Sequence, residues 1–116
     1  MSDRTTDVGI DVPLHTRIDV AGDATVLRLT GALDIASEPS FSQEVESLRR
    51  DGVRALTIDI GALDFIDSRG LSALLRTTAA WTDEGRRIEV IEPRRPQVRH
   101  VFEVSGADDG LPFVAG

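Results

Sequence analysis

The run Ala55-Leu56-Thr57-Ile58-Asp59-Ile60 constrains this chain more than any other feature. It is nearly continuous in apolar and β-branched residues, too short for a buried helix, and bounded by segments of helical period. That is the pattern of a central strand covered on both faces. Before it, Phe41, Val45 and Leu48 fall at i, i+4 and i+7. Ser37 or Ser40 can cap this first helix, Pro39 suits its first turn, and Asp51-Gly52 stops it. After it, Leu71, Leu74, Leu75, Thr78 and Trp81 or Thr82 define one face of a second helix, from about Ser68 to Glu84, with Gly85 as its end. A strand set between two helices needs crossover connections, so part of its sheet is parallel.

The rest of the chain supplies partners for that strand. Alternation in His15–Val20 (Ile18, Val20) and in Thr25–Thr30 (Val26, Leu27, Leu29), separated by Ala21-Gly22-Asp23-Ala24, reads as an N-terminal β-hairpin. Arg87–Ile91 forms another strand. Pro93 and Pro96 introduce a third helix with Val98, Val101 and Phe102 inward and Gly106 as its stop, and Leu111–Val114 adds a last strand. The order β-β-α-β-α-β-α-β gives an α/β fold with a mixed four- to five-stranded sheet. Residues 1–12 have no period and are expected to form a flexible leader, with a single domain over 13–116 and neither repeats nor an interior linker.

Composition narrows the function classes. Thirteen basic residues against 20 acidic ones leave a formal charge of −7 among 116 residues, which repels nucleic acid and anionic membrane surfaces. Every basic residue is Arg, so a phosphate-loop Lys, a Schiff-base Lys and a Lys general base are all excluded. Cys is absent, which removes disulfides, thiolate metal sites and thiol catalysis. The first residues lack the basic start and apolar stretch of a secretion signal, and no apolar run approaches a membrane span; the expected location is the cytoplasm.

The densest polar constellation is Asp64-Phe65-Ile66-Asp67-Ser68-Arg69-Gly70-Leu71, between the carboxyl end of the central strand and the second helix, where function collects in open α/β sheets. Ser68 falls at or beside the helix N-cap with an exposed hydroxyl. An Asp or Ser there can equally be a cap worth about 1 kcal/mol and nothing more. Gly70 can serve only a close approach of strand and helix, and Arg69 either pairs with a phosphate or acidic group or is a solvated helix-start residue. His15 and His100 lie in different elements without a second ligand at metal spacing, so no metal or other cofactor is expected. Trp81 fits the core or its rim, and Arg94, Arg95 and Arg99 a solvated face.

Four blocks carry a resemblance. Gly31-Ala32-Leu33-Asp34-Ile35-Ala36, the run Leu56–Ile60, Phe65-Ile66-Asp67-Ser68-Arg69-Gly70-Leu71 and Val101-Phe102-Glu103-Val104-Ser105-Gly106 resemble, in order, the signatures of STAS-domain anti-sigma factor antagonists over residues 14–115. The resemblance implies that Ser68 is a phosphoacceptor, modified by an anti-sigma factor with serine kinase activity and reset by a serine phosphatase. It implies that the unmodified form binds the anti-sigma factor and frees the sigma factor for transcription. Asp34, Asp67, Ser68, Arg69, Gly70 and Leu71 are the partner-binding positions so implied, with no catalytic residue. The family commonly carries Ser or Thr where this chain has Arg69.

Two other readings compete. Asp59, Asp64 and Asp67 near a strand end could hold Mg²⁺ as in receiver-type phosphoacceptor domains, but those also need a Lys, and Ser68 lacks the G-x-S-x-G setting of a serine hydrolase. The other is a STAS module that is never phosphorylated and acts as a binding or scaffold unit of a signalling or transporter complex.

Overall fold

In the computed structural model, residues 13–116 are described; the expected leader, 1–12, lies outside them. The elements are β1 (His15–Ala21), β2 (Ala24–Leu33), α1 (Glu38–Arg50), β3 (Ala55–Asp59), β4 (Leu63–Ile66), α2 (Ser68–Asp83), β5 (Arg87–Ile91), α3 (Pro96–Ser105) and β6 (Phe113–Val114), with a 3₁₀ turn at Ala107–Gly110. The sheet runs β1-β2-β3-β5-β6, with β4 paired to β2 off that path. Only β1 against β2 is antiparallel; the other pairings are parallel, so β3 is central and the mixed α/β sheet with an N-terminal hairpin is as expected.

Local chemistry sets the boundaries. Gly22 takes a φ of 63° in the two-residue turn between β1 and β2, the left-handed backbone that this kind of hairpin places on its first turn residue. Pro39 sits in the first turn of α1, where its missing N–H costs nothing, and Gly106 closes α3 in the left-handed conformation. Ser37 is the N-cap of α1, but its hydroxyl makes no cap bond; it lies 2.8 Å from the Ala32 carbonyl instead.

The core lies on one face of the sheet. Leu27 and Leu29 of β2, Leu56 and Ile58 of β3, and Ile88 and Val90 of β5 are buried in one cluster with Phe41, Val45 and Leu48 of α1, Leu71, Leu74 and Trp81 of α2, and Val98 and Phe102 of α3. The opposite face carries Arg28, Thr57, Asp59 and Glu89, half-buried or exposed. The expectation that β3 is covered on both faces is therefore wrong. Its two polar residues both point to the open side, where Arg28 binds Asp59 at 3.0 Å and Asp19 at 3.3 Å. Ion pairing across neighbouring strands satisfies the charges on that face, and the core residues of α1, α2 and α3 gather on the other.

The loop expected between Gly61 and Asp67 contains β4. After β3 ends, the carboxyl half of β2 goes on pairing with β4, through Gly31↔Leu63, Ala32↔Phe65 and Leu33↔Ile66. Asp64 is the extra residue of a bulge in that ladder, and the bulge re-aims the side chains beyond it. Leu63 and Ile66 are both buried, while Phe65 turns outward, 48% exposed.

Candidate functional site

Two turns meet at the carboxyl end of β2. The first leads from Leu33 into α1, the second from β4 into α2. Asp67 is the N-cap of α2, in extended backbone, and its carboxylate serves both turns. One oxygen accepts from the Gly70 N–H at 2.9 Å and the other from the Ile35 N–H at 3.0 Å, while the Asp67 N–H donates to the Leu33 carbonyl. Asp34 does the same within its own turn, accepting from the N–H groups of Ala36 (3.1 Å) and Ser37 (3.0 Å). Both carboxylates are thus held by backbone donors, and the Ser37 N–H is shared with the Asp34 carbonyl at 3.2 Å.

Gly70 fixes how closely the helix approaches. A Cβ there would lie 2.2 Å from the Leu33 carbonyl oxygen, an impossible contact, so only glycine lets α2 start against the end of β2. Leu71 follows it into the core at 7% exposure. Ser68 and Arg69 occupy the first turn of α2 and are exposed. Ser68 is the first helical residue, one place after the cap, and none of the described hydrogen bonds uses its hydroxyl. The N–H groups of Ser68 and Arg69 have no preceding turn to bond to, and they point outward with the positive end of the helix dipole. Arg69 makes none of the described ion pairs.

The structure therefore divides the six singled-out positions. Ser68 and Arg69 stand on the surface; Asp34 and Asp67 are half-buried turn builders; Gly70 and Leu71 are buried within the chain's own contacts. Sequence reasoning gave no role to Ile35 and Phe65, which frame this pole with exposures of 62% and 48%. Ile35 is held beside Asp67 by its amide, and Phe65 is turned out by the bulge two residues before the cap. An apolar residue inside the polar Asp34–Ser37 turn was the available signal for Ile35; no local signal existed for Phe65.

The residues weighed for a cation do not converge. Asp59 binds Arg28 and accepts from the Gly61 N–H at 2.8 Å, Asp64 pairs with Arg95 at 2.8 Å, and Asp67 is occupied as above. Among the described residues no three acidic or imidazole groups cluster as a metal site would need.

Three helices on a sheet that is parallel except for its first strand define a small α/β domain. The chain belongs to the STAS-domain family: residues 7–115 match the family model described as Mlab, STAS domain. An anti-sigma-B factor antagonist of Staphylococcus aureus is 22% identical over 72% of this chain and 76% of its own length. A Bordetella bronchiseptica protein named as an anti-sigma factor antagonist, BtrV, is 31% identical over 67% of this chain and 66% of its own. Among solved structures, an anti-sigma factor antagonist from Mycobacterium paratuberculosis superimposes with a TM-score of 0.74 at 24% identity, covering 89% of this chain and 86% of that one. The antagonist SpoIIAA in its unphosphorylated form gives 0.71 at 22% identity, covering 88% of each chain. These likenesses in structure are likenesses of fold. No helix among the described residues is long and apolar enough to cross a membrane.

Proposed function

We propose that this chain is a cytoplasmic anti-sigma factor antagonist that docks on its anti-sigma factor through the Ser68 pole and is released when that factor, acting as a serine kinase, phosphorylates Ser68. It works by binding and not by catalysis, and a serine phosphatase returns it to the binding form. The observation that carries this reading is an exposed hydroxyl on the first turn of α2 that none of the described hydrogen bonds uses, on a pole that also carries the exposed apolar side chains of Ile35 and Phe65. Exposed apolar residues around a small polar centre are what a partner surface buries. Ser68 and Arg69 meet the partner directly, while Asp34, Asp67, Gly70 and Leu71 hold the two turns that present them.

The switch is electrostatic. A phosphoserine adds about −1.5 to −2 charges at neutral pH. Within this chain the charge is tolerated, because the unbonded N–H groups of Ser68 and Arg69 and the helix dipole favour it. Against a partner shaped for a hydroxyl, the same charge must be desolvated with Asp67 beside it. A cost of about 3 kcal/mol is already roughly a hundredfold in affinity.

Incubation with candidate anti-sigma kinases and ATP, followed by mass spectrometry, should place one phosphate on Ser68. Ser68→Ala should keep partner affinity and abolish modification, and Ser68→Glu should weaken binding at least several-fold. Wild-type affinity in the Ser68→Glu variant would refute the switch. A second reading, an unmodified STAS subunit of a larger signalling or transporter assembly, draws support from the match to the Mlab family model and from Arg69 in the place where antagonists commonly carry Ser or Thr. It predicts partner capture that does not change with ATP.

A further inference from the structure

Among the described residues, the two edges of the sheet are unlike. The β6 edge has only two residues, too short to recruit another strand, whereas β1 offers seven, His15–Ala21, with no Pro, no Lys and no bulge among them. Those are the devices by which proteins normally blunt an open edge. Ala21 and Ala24 flank the two-residue turn and form the hydrogen-bonded pair that closes the hairpin. Alternation then points the backbone N–H and C=O groups of Thr16, Ile18 and Val20 away from β2. Ile18 and Val20 are also exposed, at 46% and 77%.

The side chains on this edge specify what can pair with it. A second β1 laid antiparallel about a two-fold axis at Ile18 places Ile18 opposite Ile18, Thr16 opposite Val20, and Arg17 opposite Asp19 twice over. The outward backbone groups of Thr16, Ile18 and Val20 then meet their own counterparts. Arg17 and Asp19 fall at the non-hydrogen-bonded pairs, where opposite side chains come closest. Shifting the pairing centre to Arg17 or Asp19 would bring like charges together, so the charges select one register. Within the chain Arg17 holds Asp19 only loosely, at 3.5 Å and with a 74% exposed side chain, so it is free to swing to a neighbour. The other charged group facing Asp19 is Arg28, at 3.3 Å, itself balanced by Asp59. The cluster is neutral and can accept the paired strand, although the net charge of −7 on each copy opposes association.

We infer that the β1 edge is a self-association surface, through which two copies of this chain join their sheets antiparallel about Ile18. A single strand pair lies well below the ~1,200 Å² of a standard stable interface, so the dimer is weak and concentration-dependent. The strands run in opposite directions, so the two Ser68 poles point to opposite ends of the dimer and both stay open to partners. The dimer would thus be bivalent.

Analytical ultracentrifugation of the full chain from micromolar to millimolar concentration tests this. The weight-average mass should rise from 12.6 kDa towards twice that value. Arg17→Asp should raise the dissociation constant about tenfold by facing Asp with Asp at two places, and the double variant Arg17→Asp, Asp19→Arg should bring it back, since the pairs are merely reversed. Val20→Pro removes an outward donor without touching the β1–β2 ladder, so it should keep the monomer's urea midpoint and lose the dimer. A monomer at every concentration overturns the inference, and so does a dimer indifferent to Arg17→Asp and Val20→Pro. Neither result bears on Ser68, whose partner binding is measured separately.

Discussion

Replacing Asp67 by Ala removes the side chain that ties the two turns of the Ser68 pole together, leaving only its backbone bond to the Leu33 carbonyl. The N-cap bond to Gly70 is worth about 1 kcal/mol. The bond from Ile35 to the second oxygen is charge-assisted, but the site is exposed, so about another 1 kcal/mol is a fair allowance. A negative charge at the start of α2 adds a few tenths more against the helix dipole. The total, about 2 kcal/mol, is a large fraction of the ~5–15 kcal/mol that holds a domain together. With a urea m-value of about 1.5 kcal/mol/M, ordinary for a chain of this size, the midpoint should fall by roughly 1.3 M at constant slope. Asp67→Asn keeps an oxygen for one of the two donors but not both, so it should lose about half as much. Urea titration of the free protein, followed by the fluorescence of the buried Trp81, measures this without any partner. A midpoint unchanged within about 0.3 M would refute the bridging role and leave Asp67 as a contact residue only.

Other positions separate presentation from contact. Gly70→Ala should destabilise the chain by about 1–3 kcal/mol in the same assay, because the new Cβ drives the start of α2 off the Leu33 carbonyl. Ile35→Ala and Phe65→Ala should leave stability within about 0.5 kcal/mol but weaken partner binding several-fold, as calorimetric titration against the captured partner would read. Gly31→Ala should also unfold the chain more easily. Gly31 has a φ of 90°, and a Cβ there would sit 2.0 Å from the Pro13 carbonyl oxygen, so thermal melting should shift downward by several degrees.

Much of the fold was legible because its signals are local. Phe41, Val45 and Leu48 repeat at helical spacing, Gly52, Gly85 and Gly106 take the positive φ of helix ends, and Ala21-Gly22-Asp23-Ala24 closes a hairpin. Each was readable within a few residues. Ser68 could be placed within one residue of a helix cap for the same reason, and four blocks in register were enough to suggest the family.

What the sequence determined alone was the order of the strands and helices apart from β4 and which hydroxyl begins α2, since backbone preference and hydrophobic period act over one or two turns. The tertiary structure decided the rest. Only the parallel pairing of Leu63–Ile66 with Gly31–Leu33 creates the bulge that turns Phe65 outward. Only the meeting of two turns 32 residues apart lets one carboxylate hold both Ile35 and Gly70. Thr57 and Asp59 could look like interruptions in a doubly buried strand until all three helices were seen to share one face. Such features depend on which distant groups arrive side by side, and a short window of sequence carries no record of its neighbours in space.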